Sequence, residues 1–417
     1  MTATGRWQVS QLAEHCEASA FGPRFSADFY SAAGNVAVIR TTDLDDAGNV
    51  NYGTVPRARL DVSDFVTHLL RNGDLLVTRS GTCGIAAVFS GYTQPVIPGA
   101  FLIRFRLRPT LQPYFLKHYI NSPAGQSQIQ AIATGAVQKN LTSTAMLRMR
   151  VPIPPLGEQQ AVVSVLDGIQ ASVDACRLEL RLERERKAAL MEHLFTHGTR
   201  GENTKQTDIG EIPEQWETTA LADAARISSG GTPDRTKPEY WDGAIPWVKT
   251  GEIRYNTILA TDERITQEGL DNSAARVYPK GTLLMAMYGQ GVTRGRVAIL
   301  GIDAAINQAC AAITPHDGIL ISRFAFYYLQ FTYERIRVLG HGANQKNMNS
   351  HLVGSILLPL PSVEEQEGIV EVLAVMDAKL DALEHEIGIL GELFRTMLQQ
   401  LLSGDLSAAI LVTEEAG

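Results

Sequence analysis

Apolar residues recur at Ile369, Leu373, Met376, Leu380, Leu383, Ile387, Leu390, Phe394, Met397 and Leu401, in alternating steps of four and three. That rhythm is the seam of a long helix facing a partner helix. An earlier stretch repeats it at Val162, Leu166, Ile169, Val173, Cys176, Leu180, Leu190 and Leu194, with Glu183 and Lys187 reading as interruptions. Each seam spans about forty residues, a rod of about 60 Å at ~1.5 Å per residue. Ordinary globular helices average about 11–12 residues, so these favour a coiled coil over helices packed singly on their own domains.

Both seams open on the same punctuation, VPIPPLGEQQ (Val151–Gln160) and LPLPSVEEQE (Leu358–Glu367). Proline suits a first helical turn, and a glutamate just inside it complements the helix dipole. Gly198 and Gly404 mark the expected ends. Upstream, GAVQKNLTS (Gly135–Ser143) and GANQKNMNS (Gly342–Ser350) align at the same offset of 207 residues as Pro152/Pro359, Glu158/Glu365, Gln159/Gln366 and Asp174/Asp381. One offset held so long indicates internal duplication.

Short apolar runs bounded by Gly, Asn and Pro predict strands at 36–40, 74–78, 85–89 and 101–107, and at 245–249, 282–287, 296–300 and 309–313. Helices are expected near 113–133 and 320–338. The predicted fold class is α/β (α+β): two mixed globular parts joined by two long antiparallel coiled-coil helices, with a pseudo-twofold internal repeat. The expected boundaries are 1–152 for the first globular part, 153–198 for the first long helix, 199–358 for the second globular part, 359–404 for the second helix, and 405–417 for a tail.

Composition adds bounds. An apolar content of 45% and charged content of 20% are ordinary for a globular protein, and no apolar run reaches about 18 residues. The opening MTATGRWQVS has no signal-peptide pattern, and four scattered cysteines (Cys16, Cys83, Cys176, Cys310) include no Cys-x-x-Cys pair. A reducing cytoplasm is the expected location, without a disulfide framework or zinc site. The net charge of −8 disfavours a polyanionic partner only until it is divided. Residues 1–150 carry 14 Lys/Arg against 9 Asp/Glu, net +5, whereas residues 358–417 carry 2 against 12, net −10. A charge so segregated does not exclude DNA.

No catalytic motif accompanies this organisation. There is no phosphate-cradling Gly-x-x-x-x-Gly-Lys-Ser/Thr loop, no Asn/Asp-Pro-Pro-aromatic tetrapeptide and no His-Glu-x-x-His pair. Basic and amide side chains beside glycine turns recur instead. Arg79 lies in TRSGTCG, and Arg104, Arg106 and Arg108 alternate along one strand, so a guanidinium-lined face is expected. Arg294 and Arg296 lie in GQGVTRGRV, and Gln138 and Lys139 recur as Gln345 and Lys346. Arg, Gln and Asn are the side chains that read base edges, and Lys usually takes phosphate. Each alone could be a solvated surface residue, and Asn140 and Asn347 could be helix caps.

The segment SSGGTPDRTKPEYWDGAIPWVKTGEI (Ser228–Ile253) resembles the start of a target recognition domain in type I restriction–modification specificity subunits, with Gly-Thr-Pro, Tyr-Trp and Ile-Pro-Trp-Val in family order. The Gln-Lys-Asn turn, Pro-x-Pro and Glu-Gln opening resemble that family's domain end and spacer helix. The first copy departs: Gly53-Thr54-Val55 replaces Gly-Thr-Pro and no Tyr-Trp pair is present. Tyr240, Trp241 and Trp247 read as a packed cluster, and Lys249 as a phosphate contact.

The resemblance implies a non-catalytic chain that reads double-stranded DNA as a bipartite, asymmetric site. It implies two modification subunits carrying S-adenosylmethionine, which methylate adenine, and restriction subunits carrying ATP-driven cleavage, with no cofactor on this chain and no membrane. The spacer helices would dock the modification subunits and act as a ruler between half-sites. A coiled-coil scaffold without DNA readout is the alternative. A self-contained methyltransferase or nuclease is disfavoured by the absent motifs.

Overall fold

The strands form where apolar runs can be buried on both faces. Val36–Ile39, Leu75–Thr78 and Ala86–Val88 are buried throughout. The fold is that of a computed structural model, described for residues 7–135, 139–289, 292–339 and 348–408. The chain divides into two compact units, Met1–Arg177 with His385–Gly417, and Leu178–Glu384. Each takes one globular part and half of each long helix.

In the first unit, an antiparallel sheet runs in the order Cys16–Phe21, Leu102–Leu107, Leu75–Thr78, Ala86–Val88. A second sheet orders Arg57–Ala58, Val36–Ile39 and Val96–Pro98, the last two parallel. The helical stretch expected over 113–133 is two helices, Pro113–Asn121 and Pro123–Ile132. Pro123 forbids continuation and forces Ser122 extended, where the Ser122 hydroxyl caps the new helix by accepting from Gly125 N. Phe105, Phe115 and Leu116 share a core with Val162 and Leu166 of the first long helix and Leu398 and Leu401 of the second.

The second unit repeats this order. One sheet runs Ala225–Ser229, Cys310–Pro315, Leu283–Ala286, Val297–Leu300, with Thr257–Ile258 added at the edge. The other pairs Trp241–Val248 in parallel with Ala304–Ile306, as the first unit pairs its central strands. The duplication is therefore carried by strand topology as well as by sequence. Its core joins Phe195, Phe324 and Tyr327 to Ile369 and Leu373.

The long helices span Leu156–His197 and Val363–Ser403 and pack together. Gly198 and Gly404 follow them in the left-handed region, at φ 69° and 79°, where glycine carries no steric penalty. Within the second unit the helix halves are antiparallel: Glu183 pairs with Lys379 (2.7 Å), Lys187 with Asp377, and Arg184 with Glu384 (2.6 Å). Within the first, Glu158 at the start of one helix meets Ser407 just beyond the end of the other. Val162, Leu166, Val173, Ile369, Leu373, Met376 and Leu383 are buried along the seam, and Ile169, Leu180, Leu380, Ile387 and Leu390 are half-buried.

Glu183 and Lys187 do not interrupt the seam. They continue its four–three spacing between Leu180 and Leu190, and each is only 8% exposed. A charge at such a position is costly unless paired, and the partners are present: Lys379 for Glu183, and Asp377 for Lys187. The Tyr327 hydroxyl donates to the second Asp377 oxygen (2.7 Å). At the places 207 residues on, the second helix carries Leu390 and Phe394. One half of the helix pair is thus sorted by charge and the other by apolar packing.

The duplicated Glu-Gln has a structural reason. Gln159 and Gln366 are fully buried. Gln366 accepts from Ile321 N (2.8 Å) and donates to the carbonyls of Ile319 (2.8 Å) and Pro361 (3.0 Å). Gln159 does the same with Gln112 N (2.8 Å), Thr110 O (3.1 Å) and Pro154 O (2.9 Å). Each glutamine clips a long helix to the turn that starts its domain's own helix. The neighbouring glutamate holds the chain leaving the antiparallel helix: Glu365 accepts from Thr199 N (2.7 Å), as Glu158 meets Ser407.

Candidate nucleic-acid interface

The alternating arginines do not form the open face expected of them. Arg104 is 4% exposed and donates to Thr67 O (2.8 Å), and burial lowers its affinity for the proton. Arg106 forms a two-pronged pair with the buried Asp74 (2.9 and 2.7 Å), whose hydrogen bond raises the guanidinium's pKa. Only Arg108 is exposed, near Cys16 O (3.4 Å). Arg104 and Arg106 share one face, and the chain at Thr67–Asp74 covers it at both.

The glycine turns gather other predicted residues. Arg79 stacks on Phe21 (4.3 Å), and its Nε donates to Asn140 Oδ1 (3.3 Å). Lys139 is exposed beside it, and Cys83 Sγ donates to the carbonyls of Arg79 (2.8 Å) and Lys139 (3.3 Å). Gln138, Gln345 and Lys346 lie outside the described residues. Arg294 donates to Arg337 O (2.8 Å), and Arg296 sits over the Tyr255 ring (5.7 Å) with its Nε buried.

Lys249 stands at the end of strand Trp241–Val248, a third exposed, bonded to Glu263 (3.0 Å), which raises its pKa. Arg235 takes the other Glu263 oxygen (2.6 Å) and lies over Trp241 (3.8 Å). Burial alone would raise the Glu263 carboxyl, but these two cations outweigh it and lower it. Trp247 and Tyr240 are core residues, and Trp247 Nε1 donates to Gly231 O (2.9 Å). Trp241 is half-buried under Arg235, in edge contact with Trp247 (5.1 Å).

The first unit has the matching arrangement, which sequence reasoning missed. Arg40 follows strand Val36–Ile39 as Lys249 follows its strand. Both residues begin a short 3₁₀ turn whose third residue, Asp43 or Glu252, accepts from their backbone N–H (2.8 and 2.7 Å). The signal was present as IRTTD (Ile39–Asp43) and VKTGE (Val248–Glu252), at an offset of 209 rather than 207. Arg40 lines a half-open cleft of about 600 Å³ with Arg24, Phe25, Tyr30 and Phe101. Such a mixture of guanidinium and ring surfaces suits contact with bases and backbone of a nucleic acid.

Each unit's halves of the long helices expose apolar side chains. Leu178, Leu182, Val372 and Val375 are exposed in the second unit, and Ile389 and Leu393 in the first, beside a seam that is otherwise covered. Among the described residues, no cluster of three His, Cys, Asp or Glu is placed to hold a metal ion. No helix among them is long and apolar enough to cross a membrane.

The family model for the type I restriction modification DNA specificity domain matches twice, at residues 5–182 and 213–390. A Methanocaldococcus jannaschii chain assigned as the specificity subunit of type I restriction enzyme MjaX is 24% identical over 349 residues, 82% of this chain and 80% of that one. The EcoBI specificity subunit of Escherichia coli is 24% identical over 312 residues, 69% and 64% of the two chains. A crystal structure of a type I S subunit from M. genitalium superposes with a TM-score of 0.62 at 14% identity, covering 96% of both chains.

Proposed function

This chain belongs to the type I restriction–modification DNA specificity family, and we propose that it selects the DNA sequence on which such a complex acts, each domain reading one half of a bipartite, asymmetric site. The observation that carries this reading is the double family match, laid on two domains of one strand order with different side chains at equivalent places. One topology with two lining sets is what two different half-sites call for.

The chain contributes recognition and assembly, and no catalysis. S-adenosylmethionine and ATP belong to the modification and restriction subunits, in the cytoplasm. Two modification subunits dock on the long helices, where exposed Leu178, Leu182, Val372, Val375, Ile389 and Leu393 offer apolar contact. Arg79, Lys139, Arg108 and Lys249 remain candidates for DNA contact, together with Gln138, Gln345 and Lys346. The helix length sets the unread gap, about 5.4 Å per turn.

The test is selection from a randomised duplex pool by the complex assembled with its modification subunits, at moderate salt. Enrichment of one split, asymmetric sequence supports the proposal. Equal retention of all sequences contradicts it.

A further inference from the structure

We propose that the first domain reads its half-site through the cleft at the ends of its two parallel strands, with Arg40 on base edges and Phe101 packed beside it, and that Lys249 holds the equivalent place in the second domain. The inference rests on the DNA-reading function proposed above and adds the location and the residues.

Strands Val36–Ile39 and Val96–Pro98 run parallel, and both carboxyl ends open into the cleft, Arg40–Thr42 after one and Gly99–Phe101 after the other. Ligands of α/β sheets gather beyond the carboxyl ends of parallel strands. The close approach there is built in: Gly99 N donates to Ile39 O (2.7 Å), and a Cβ on Gly22 would lie 2.0 Å from Gly99 O. The second unit reproduces the arrangement, with Asn307 N donating to Val248 O (2.9 Å) and a Cβ on Gly230 meeting Ile306 O at 2.0 Å. Duplication has kept the frame and the positive charge while changing the donor from a guanidinium fork to an ammonium. Two readers of unlike half-sites would diverge in this way.

The Arg40 side chain is held ready. Asp43, its side chain wholly buried, grips Nε (3.1 Å) and Nη2 (2.9 Å), and Nη2 also donates to Thr54 O (3.2 Å). These bonds leave Nη1 for an incoming acceptor. A guanidinium already fixed loses little freedom on binding. The rim is apolar where folding does not require it: Phe101 is 56% exposed and Tyr30 40%. Nη1 donating to a guanine acceptor, next to an apolar group on a thymine methyl, is direct readout in the major groove.

The test repeats the duplex selection with variants in the assembled complex. Phe101→Ala and Arg40→Ala should each lower preference for the selected base about 5- to 150-fold at one or two positions of a single half-site. Lys249→Ala should act only on the other half. Because Arg40→Ala strands buried Asp43, Arg40→Lys is the companion: it keeps the charge, loses the fork, and should lower base preference with total affinity held. If Arg40→Ala does not fold, Phe101→Ala and Arg40→Lys decide. Unchanged base preference in both halves, or an equal loss across all sequences as from a phosphate contact, overturns the inference. Failure of the wild-type complex to enrich any sequence would instead overturn the DNA-reading function itself.

Discussion

Replacing Gln366 by leucine isolates the clip between the second long helix and its domain. The side chain is fully buried and satisfies one N–H and two carbonyls, at Ile321, Ile319 and Pro361. Leucine has a similar volume, so apolar contact is retained while three polar groups lose their partner in a dry site. A stranded buried group costs about 1–3 kcal/mol, and the low end of that range for each of the three gives about 3 kcal/mol in all. The Ile321 amide precedes helix Ser322–Phe331, so the loss should appear there first. Hydrogen exchange of the segment containing that amide should accelerate about 150-fold, the equivalent of 3 kcal/mol at 1.4 kcal/mol per decade. Gln159→Leu should do the same at the Gln112 amide. Exchange within threefold of wild type at both places, in folded variants, would refute the clip.

Lys187→Met should cost about 1 kcal/mol in chemical unfolding, less than for a deeply buried pair, because Asp377 remains a third exposed and keeps the Tyr327 bond. Adding Asp377→Asn, which removes the unpaired charge but keeps an acceptor for the Tyr327 hydroxyl, should recover that loss; a further loss would contradict the seam assignment. The bond from Lys379 holds the Glu183 carboxyl below its ordinary 4.5 despite burial. Its stabilisation is therefore complete above pH 4.5 and fades as pH falls through the lower folded value, so Glu183→Gln should flatten wild-type stability below pH 4.5; parallel curves would show that Glu183 contributes nothing to acid sensitivity. Four residues inserted after Leu182, with four after Asp381, add about one turn, and should lengthen the unread gap by one or two base pairs with both half-sites unchanged. Changed half-sites would refute the ruler.

Much of this organisation was legible in the chain because its periodicities are local. The four–three seams and the apolar runs such as LLVT at Leu75–Thr78 each occupy a short window. What escaped depended on distant contacts. Alternation placed Arg104 and Arg106 on one face, but nothing local says that Thr67–Asp74 covers it. Glu183 and Lys187 read as breaks because their partners lie 196 and 190 residues away. Gln159 and Gln366 were visible as a repeated position, yet their role needs backbone groups 47 and 45 residues earlier in the chain. Arg40 was missed because its match to Lys249 falls two residues off the offset that aligns the helices.

The central claim is that two duplicated domains read two halves of one DNA site. Methylation-sensitive sequencing of the source genome, with and without this gene, addresses it most directly. The account predicts adenine methylation at a single asymmetric motif, split by a fixed unread gap and lost when the gene is deleted. Methylation unaffected by the deletion, or confined to a continuous motif, would contradict it.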